Sequence, residues 1–163
     1  MLRHAARLLR PLRHLATAAL LAACSAAAQA QIVEHVLHPT DFASARTALE
    51  DSIAAEGLAP PTVSEFGNML QRTAPTLGHP ADTYREAVIF TFCSAHVAGR
   101  MTAEDPRHIA LCPLSMALYT LPADPRRVHL TYRLPATATP GGELAEALLA
   151  RIARRTADTL GLH

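Results

Sequence analysis

Two cysteines and two histidines fall within one short stretch, "FCSAHVAGRMTAEDPRHIALCP", residues 92–113. Cys93, His96, His108 and Cys112 stand with two, eleven and three residues between successive members. Two thiolates and two imidazoles make a donor set that suits tetrahedral zinc, or copper. Cys93 and His96 are three apart at an expected helix start, where both side chains can point one way. His108 and Cys112 are four apart in what reads as a strand, "HIALCPLSMALYTL". Strand rise then puts them on one face but about 13 Å apart, too far to share one ion without a bend near Pro113.

Three other chemistries compete with metal binding. In an oxidising compartment Cys93 and Cys112 would tend to pair, closing a loop of about 20 residues for about 3 kcal/mol in the chain-entropy model. Alternatively Cys93, just before a helix N-terminus, would have a lowered pKa and be reactive. A redox pair would usually read CxxC, and that spacing is missing. Ser94 is a candidate nucleophile or binding residue, although the position also suits a helix cap. Asp105-Pro106-Arg107 could form a charged pair at a pocket edge, but Asp-Pro more simply ends a helix. No Ser-His-Asp order, Gly-rich phosphate loop or CxxCH haem site can be defended.

The elements that would position these groups follow from periodicity. "IVEHVLH" (32–38) alternates as a first strand. Residues 39–57 read as a helix capped by Thr40 or Asp41, with Phe42, Ala45, Leu49 and Ile53 on one face and Gly57 at its end. "TVSEF" is extended, and Met69 and Leu70 fall in a short helix. "REAVIFTF" (85–92) is a strand, and "AHVAGRMTAE" is a helix with Val97 and Met101 inward and Pro106 closing it. In the strand expected over 108–121, Pro113 lacks an N–H and predicts a bulge or a gap in pairing. "RVHLTYRLP" alternates with Val128, Leu130, Tyr132 and Leu134 in and His129, Thr131 and Arg133 out; Tyr119 and Tyr132 read as core residues with polar tips. After "ATATPGG", read as a connector, an amphipathic helix is built on Leu144, Leu148 and Ile152. This order predicts an α+β fold, a largely antiparallel sheet with two main helices on one face.

Residues 1–30 are set apart as a secretory signal: four arginines without an acid, an apolar run of about ten residues, then "SAAAQAQ". Cleavage after Ala30 leaves a single domain, 31–163; the competing reading takes "LAAC" as a lipobox and Cys24 as a lipidated N-terminus. Either way the expected location is the periplasm, soluble or lipid-anchored. All 15 basic residues are Arg, and residues 31–163 carry 11 of them against 14 acids. A weakly acidic domain with no basic tract gives no electrostatic case for nucleic acid.

The ordered set "FCS", "MTAEDPR", "CPLSMALY" and "VHLTYR", with "NMLQRTAPTLG" upstream, resembles the domain of unknown function 302 family, particularly its exported proteobacterial branch. The resemblance spans about residues 40–135. It implies a compact domain similar to TATA-binding-protein-like folds, often a homodimer, and supplies no established reaction. Branch members share cysteines at positions 93 and 112 but do not require histidines at 96 and 108. Where they usually carry an aromatic after the Cys-Pro, this chain has Leu114. The expectation is therefore a non-enzymatic exported domain that binds a small molecule or protein near Cys93, Ser94, Cys112 and Pro113, with a Cys93–Cys112 disulfide and no cofactor. The alternative is thiol-redox or copper/zinc handling by the cysteines, with His96 or His108 assisting.

Overall fold

The computed structural model describes residues 31–135 and 138–162. The expected signal segment and Cys24 lie outside the described residues. The chain runs β1 (Ile32–Leu37), α1 (Phe42–Ala55), β2 (Thr62–Ser64), α2 (Phe66–Leu77), β3 (Glu86–Phe92), α3 (Ala95–Glu104), a 3-10 helix (Pro106–Leu111), β4 (Leu114–Leu121), β5 (Asp124–Arg133) and α4 (Pro140–Thr159). One antiparallel sheet results, in the order β1-β5-β4-β3-β2. This is the α+β architecture expected from the sequence.

Alternation builds the core. Leu37 pairs with Val128, Leu118 with Leu130 and Phe90 with Met116, and all six are buried on one sheet face. Helices α1 and α4 cover that face. In α1, Asp41 caps the first turn by accepting from the Ser44 N–H at 2.9 Å. Its buried stripe holds Phe42, Ala45, Leu49 and Ile53 as expected, and Gly57 follows with φ 73°. The short α2 lies against β3, where a Cβ on Gly67 would come within 3.0 Å of the Ala87 nitrogen.

The structure differs from the sequence reading at several places along the chain. His108–Leu111 belong to the 3-10 helix, and β4 begins at Leu114, so Pro113 precedes the strand instead of interrupting it. The physical reason is local: Asp105 accepts from the Arg107 N–H at 2.9 Å and Pro106 occupies the first turn, which nucleates helix where apolar residues alone suggested strand. The irregularity expected at Pro113 falls instead between Thr120 and Leu121, before the turn into β5. Finally, α4 starts at Pro140, and Gly141 and Gly142 are buried in its first turn. Its inward face is Ala145, Leu148, Leu149 and Ile152, whereas Leu144 stays exposed.

Thr120 is buried on the helix-covered face of β4, and its Oγ1 has no hydrogen-bond partner. A hydroxyl shut away without a partner costs stability, and the isosteric Thr120→Val removes it while keeping the branched shape that strands favour. Equilibrium urea unfolding of Thr120→Val is expected to show a gain of about 1 kcal/mol.

Candidate functional site

Strand pairing places the two cysteines at one end of the sheet. Phe92 pairs with Leu114, so Cys93, just after β3, and Cys112, two residues before β4, come to the same end of the sheet. Cys93 is exposed and Cys112 half-buried, and both are free thiols. The expected disulfide is not formed in this structure. The two thiols are near enough to interact: burial pushes the Cys112 thiol up, and the neighbouring Cys93 pushes it further. The Cys112–Pro113 peptide is cis, as is His38–Pro39.

The surrounding candidates are accounted for by folding. Ser94 caps α3, its hydroxyl accepting from the Val97 N–H at 3.4 Å. Val97 and Met101 point inward from that helix as expected. His96 lies on its exposed side, while His108 turns back to the Met101 carbonyl, 2.9 Å from Nδ1. The strand geometry expected for His108 and Cys112 is thus replaced by a helical turn, and His108 is tied to α3. Among the described residues no three His, Cys, Asp or Glu side chains converge as a metal site. Beside Pro113, a cavity lined by Leu111, Leu114, Ser115 and Arg133 has a volume of about 10 Å³, room for roughly one water.

The "MTAEDPR" stretch is a corner. Glu104, at the end of α3, accepts from the Gly141 N–H at 2.9 Å and so caps α4 from 37 residues away. Hydrogen bonding from Thr139, then the Gly141 amide and the Arg100 charge, holds its carboxyl below the usual range. Asp105, clasped by the Arg107 side chain and amide, falls to about 2. This carboxylate pair fixes the segment that delivers Cys112 to the sheet end.

A second cluster lies on the other face of the sheet and was not singled out by sequence reasoning. Glu34 Oε1 accepts from the Tyr119 hydroxyl at 2.8 Å and faces His129 Nδ1 at 2.9 Å. Those two bonds, Tyr119 first, hold the Glu34 carboxyl below its ordinary range. An ionised carboxylate can only accept, so Nδ1 carries the shared hydrogen. Tyr119, pushed up to about 12 by burial and then by Glu34, stays a neutral donor. Its ring stacks on His129 (centroids 4.6 Å apart) and meets Tyr84 edge-on, which in turn meets Phe66. His129 points away from the core, as its alternation indicates. Tyr119, expected in the core, stands on the same outer face, because Leu114, Met116 and Leu118 take the inward positions of β4. That parity was the available signal, hidden by the apolar residues on both faces of the strand.

Among the described residues, no helix is long and apolar enough to cross a membrane. No curated protein matches the chain. A crystal structure of an uncharacterized conserved DUF302 protein from Bacillus stearothermophilus is similar, with a TM-score of 0.60 and 18% identity over 78% of this chain and 96% of that one. At that identity the likeness speaks for the fold. The sequence model of the family described as "Domain of unknown function DUF302" matches residues 32–160, so the resemblance first seen over the middle of the chain extends to β1 and α4. This chain belongs to the DUF302 family.

Proposed function

We propose that the protein is an exported, non-enzymatic accessory domain that binds a small molecule or a partner protein, and that Cys93 and Cys112 close into a disulfide once outside the cytosol. The observation that carries this reading is the neighbouring pair of free thiols at the ends of β3 and β4. Oxidation by a disulfide-donating oxidant balances simply. The Cys93 and Cys112 sulfurs each give up a hydrogen and join, while the donor's S–S bond is reduced to two thiols. Such a bridge would tie the α3 corner across the sheet end.

A second reading rests on the asymmetry of the pair. Exposed Cys93 and half-buried Cys112 resemble an attacking thiol and its resolving partner, which would suit thiol exchange, or copper or zinc handling. One experiment separates the two: intact mass and thiol alkylation of the exported protein, with and without reductant, together with metal analysis. The expected result is a mass short by two hydrogens, no alkylation until strong reductant is added, and no copper or zinc. Two alkylatable thiols throughout, or thiols carrying stoichiometric metal, would sink the first reading. The same mass distinguishes a chain beginning at Gln31 from one lipidated at Cys24.

A further inference from the structure

One side of the β1 backbone has no partner. β1 is an edge strand, paired only with β5 among the described residues. The Leu134 N–H donates to the Gln31 carbonyl at 2.9 Å, one step before the strand begins. Antiparallel rungs alternate between pairs that exchange backbone bonds and pairs that do not, so Val33, His35 and Leu37 bond to β5. Ile32, Glu34 and Val36 therefore turn their N–H and C=O groups outward. The opposite edge, β2, is only the short Thr62–Ser64, so β1 is the longer free edge of the sheet.

This edge opens onto a hollow of about 620 Å³ on the helix-covered side of the sheet, lined by residues 34–38 and by Ala157, Gly161 and Leu162 at the end of α4. The side chains that β1 sends to that side are His35 and Leu37, whose partners Leu130 and Val128 are buried in the core. Those of Glu34 and Val36 go to the other face, so these two residues border the hollow along their backbone. On that other face no arginine pairs with Glu34 among the described residues, and the bonds from Tyr119 and His129 hold its carboxyl below the ordinary range. The carboxylate stands between Ile32 and Val36, which are 71% and 47% exposed. A chain laid along this edge would meet an acid flanked by two bare β-branched side chains on one face and an open hollow on the other.

We infer that β1 accepts an additional strand from a partner protein, an extended segment that bonds to the backbone of Ile32, Glu34 and Val36. A basic residue of that segment lies across from Glu34, and the apolar residues on either side of it enter the hollow against His35, Ala157 and Leu162. The inference rests on the partner-binding part of the function proposed above, to which it gives a surface and a chemistry; the thiols take no part in it.

The test is an NMR titration of the purified chain with the end-blocked peptide Ser-Thr-Val-Lys-Val-Thr-Ser. Two relatives run in parallel, one with glutamate in place of the lysine and one N-methylated at the lysine amide. The lysine peptide is expected to shift the amide resonances of β1 and residues 157–162 saturably. The glutamate peptide should bind about tenfold more weakly, and the N-methylated one, which cannot donate to the Glu34 carbonyl, should not bind. Val36→Pro removes an outward N–H and leaves the ladder to β5 intact, and is expected to weaken binding about tenfold. Glu34→Lys is expected to reverse the preference between the lysine and glutamate peptides, and serves if Val36→Pro does not fold. No saturable shift, equal binding of the lysine and glutamate peptides, or undiminished binding of the N-methylated one would overturn the inference. So would pairing of β1 with a second copy of itself, seen as concentration-dependent shifts of its amides without peptide. The mass measurement on the thiols does not depend on any of these results, so the two readings fail separately.

Discussion

Gly141→Ala should lower the stability of the fold by about 3 kcal/mol, read as a fall in the urea midpoint at unchanged slope. The sign is informative because intrinsic helix preference works the other way. Alanine in a helix gains about 1 kcal/mol over glycine, so any net loss measures the packing. A Cβ on Gly141 would stand 2.8 Å from the Met101 Cα and 2.8 Å from the Glu104 Oε2 that caps the helix. The first of these is backbone and cannot swing away, so α4 must shift off α3 and the Glu104 bond to the Gly141 N–H must lengthen. Gly99→Ala in α3 is the matched control. Its Cβ would meet nothing within 4 Å, so the same exchange there is expected to stabilise by about 0.5–1 kcal/mol. If both variants moved in the same direction, the close contact at the α3–α4 corner would not be what holds the helix there.

Phe90→Ala is expected to cost about 3–5 kcal/mol. Phe90 is fully buried at the centre of β3, paired with Met116 on one side and Val63 on the other. The vacated space is bounded by strands paired on both sides of β3, which cannot close in without breaking their ladders, so the cavity should persist. Against a typical total of 5–15 kcal/mol for a domain, that loss is large enough to leave the variant partly unfolded at moderate temperature. Denaturant unfolding checks it; a loss below about 1 kcal/mol would mean that the sheet and helices collapse into the gap.

Elements with one dominant signal were legible in the sequence. Helix α1 has an Asp cap, a clear apolar stripe and a terminal glycine, and it fell where expected. Strand β3 did the same, and the alternation of β5 held over Val128–Arg133, although the strand begins earlier, at Asp124. Residues 108–111 were misread because four apolar or ambivalent residues satisfy strand and helix alike, and the deciding interaction is the Asp105 side chain, just upstream. Leu144 lies off the inward stripe because helical spacing alone allows either of two adjacent stripes; the close packing of Gly141 on Met101 of α3 selects between them.

The candidate site divides in the same way. The cysteines, Ser94 and His108 were found by residue type, but the partner each one has in space depends on which strands pair. The Glu34 cluster was invisible because its members sit on β1, β4 and β5, up to 95 residues apart. Nothing local marks a glutamate in an alternating strand as the partner of a tyrosine two strands away.

The position of Glu34 also bears on the exposed edge of the sheet. β1 is an edge strand, and its outer side chains on that face are Ile32, Glu34 and Val36, with the isoleucine and valine exposed. A bare apolar edge invites another strand to add to the sheet and start aggregation. A carboxylate kept ionised by its two donors, set midway along that edge, makes the pairing of two such edges in direct register unfavourable. The bonds that hold Glu34 in place on this outer face therefore also make it a gatekeeper against fibre-like growth from β1.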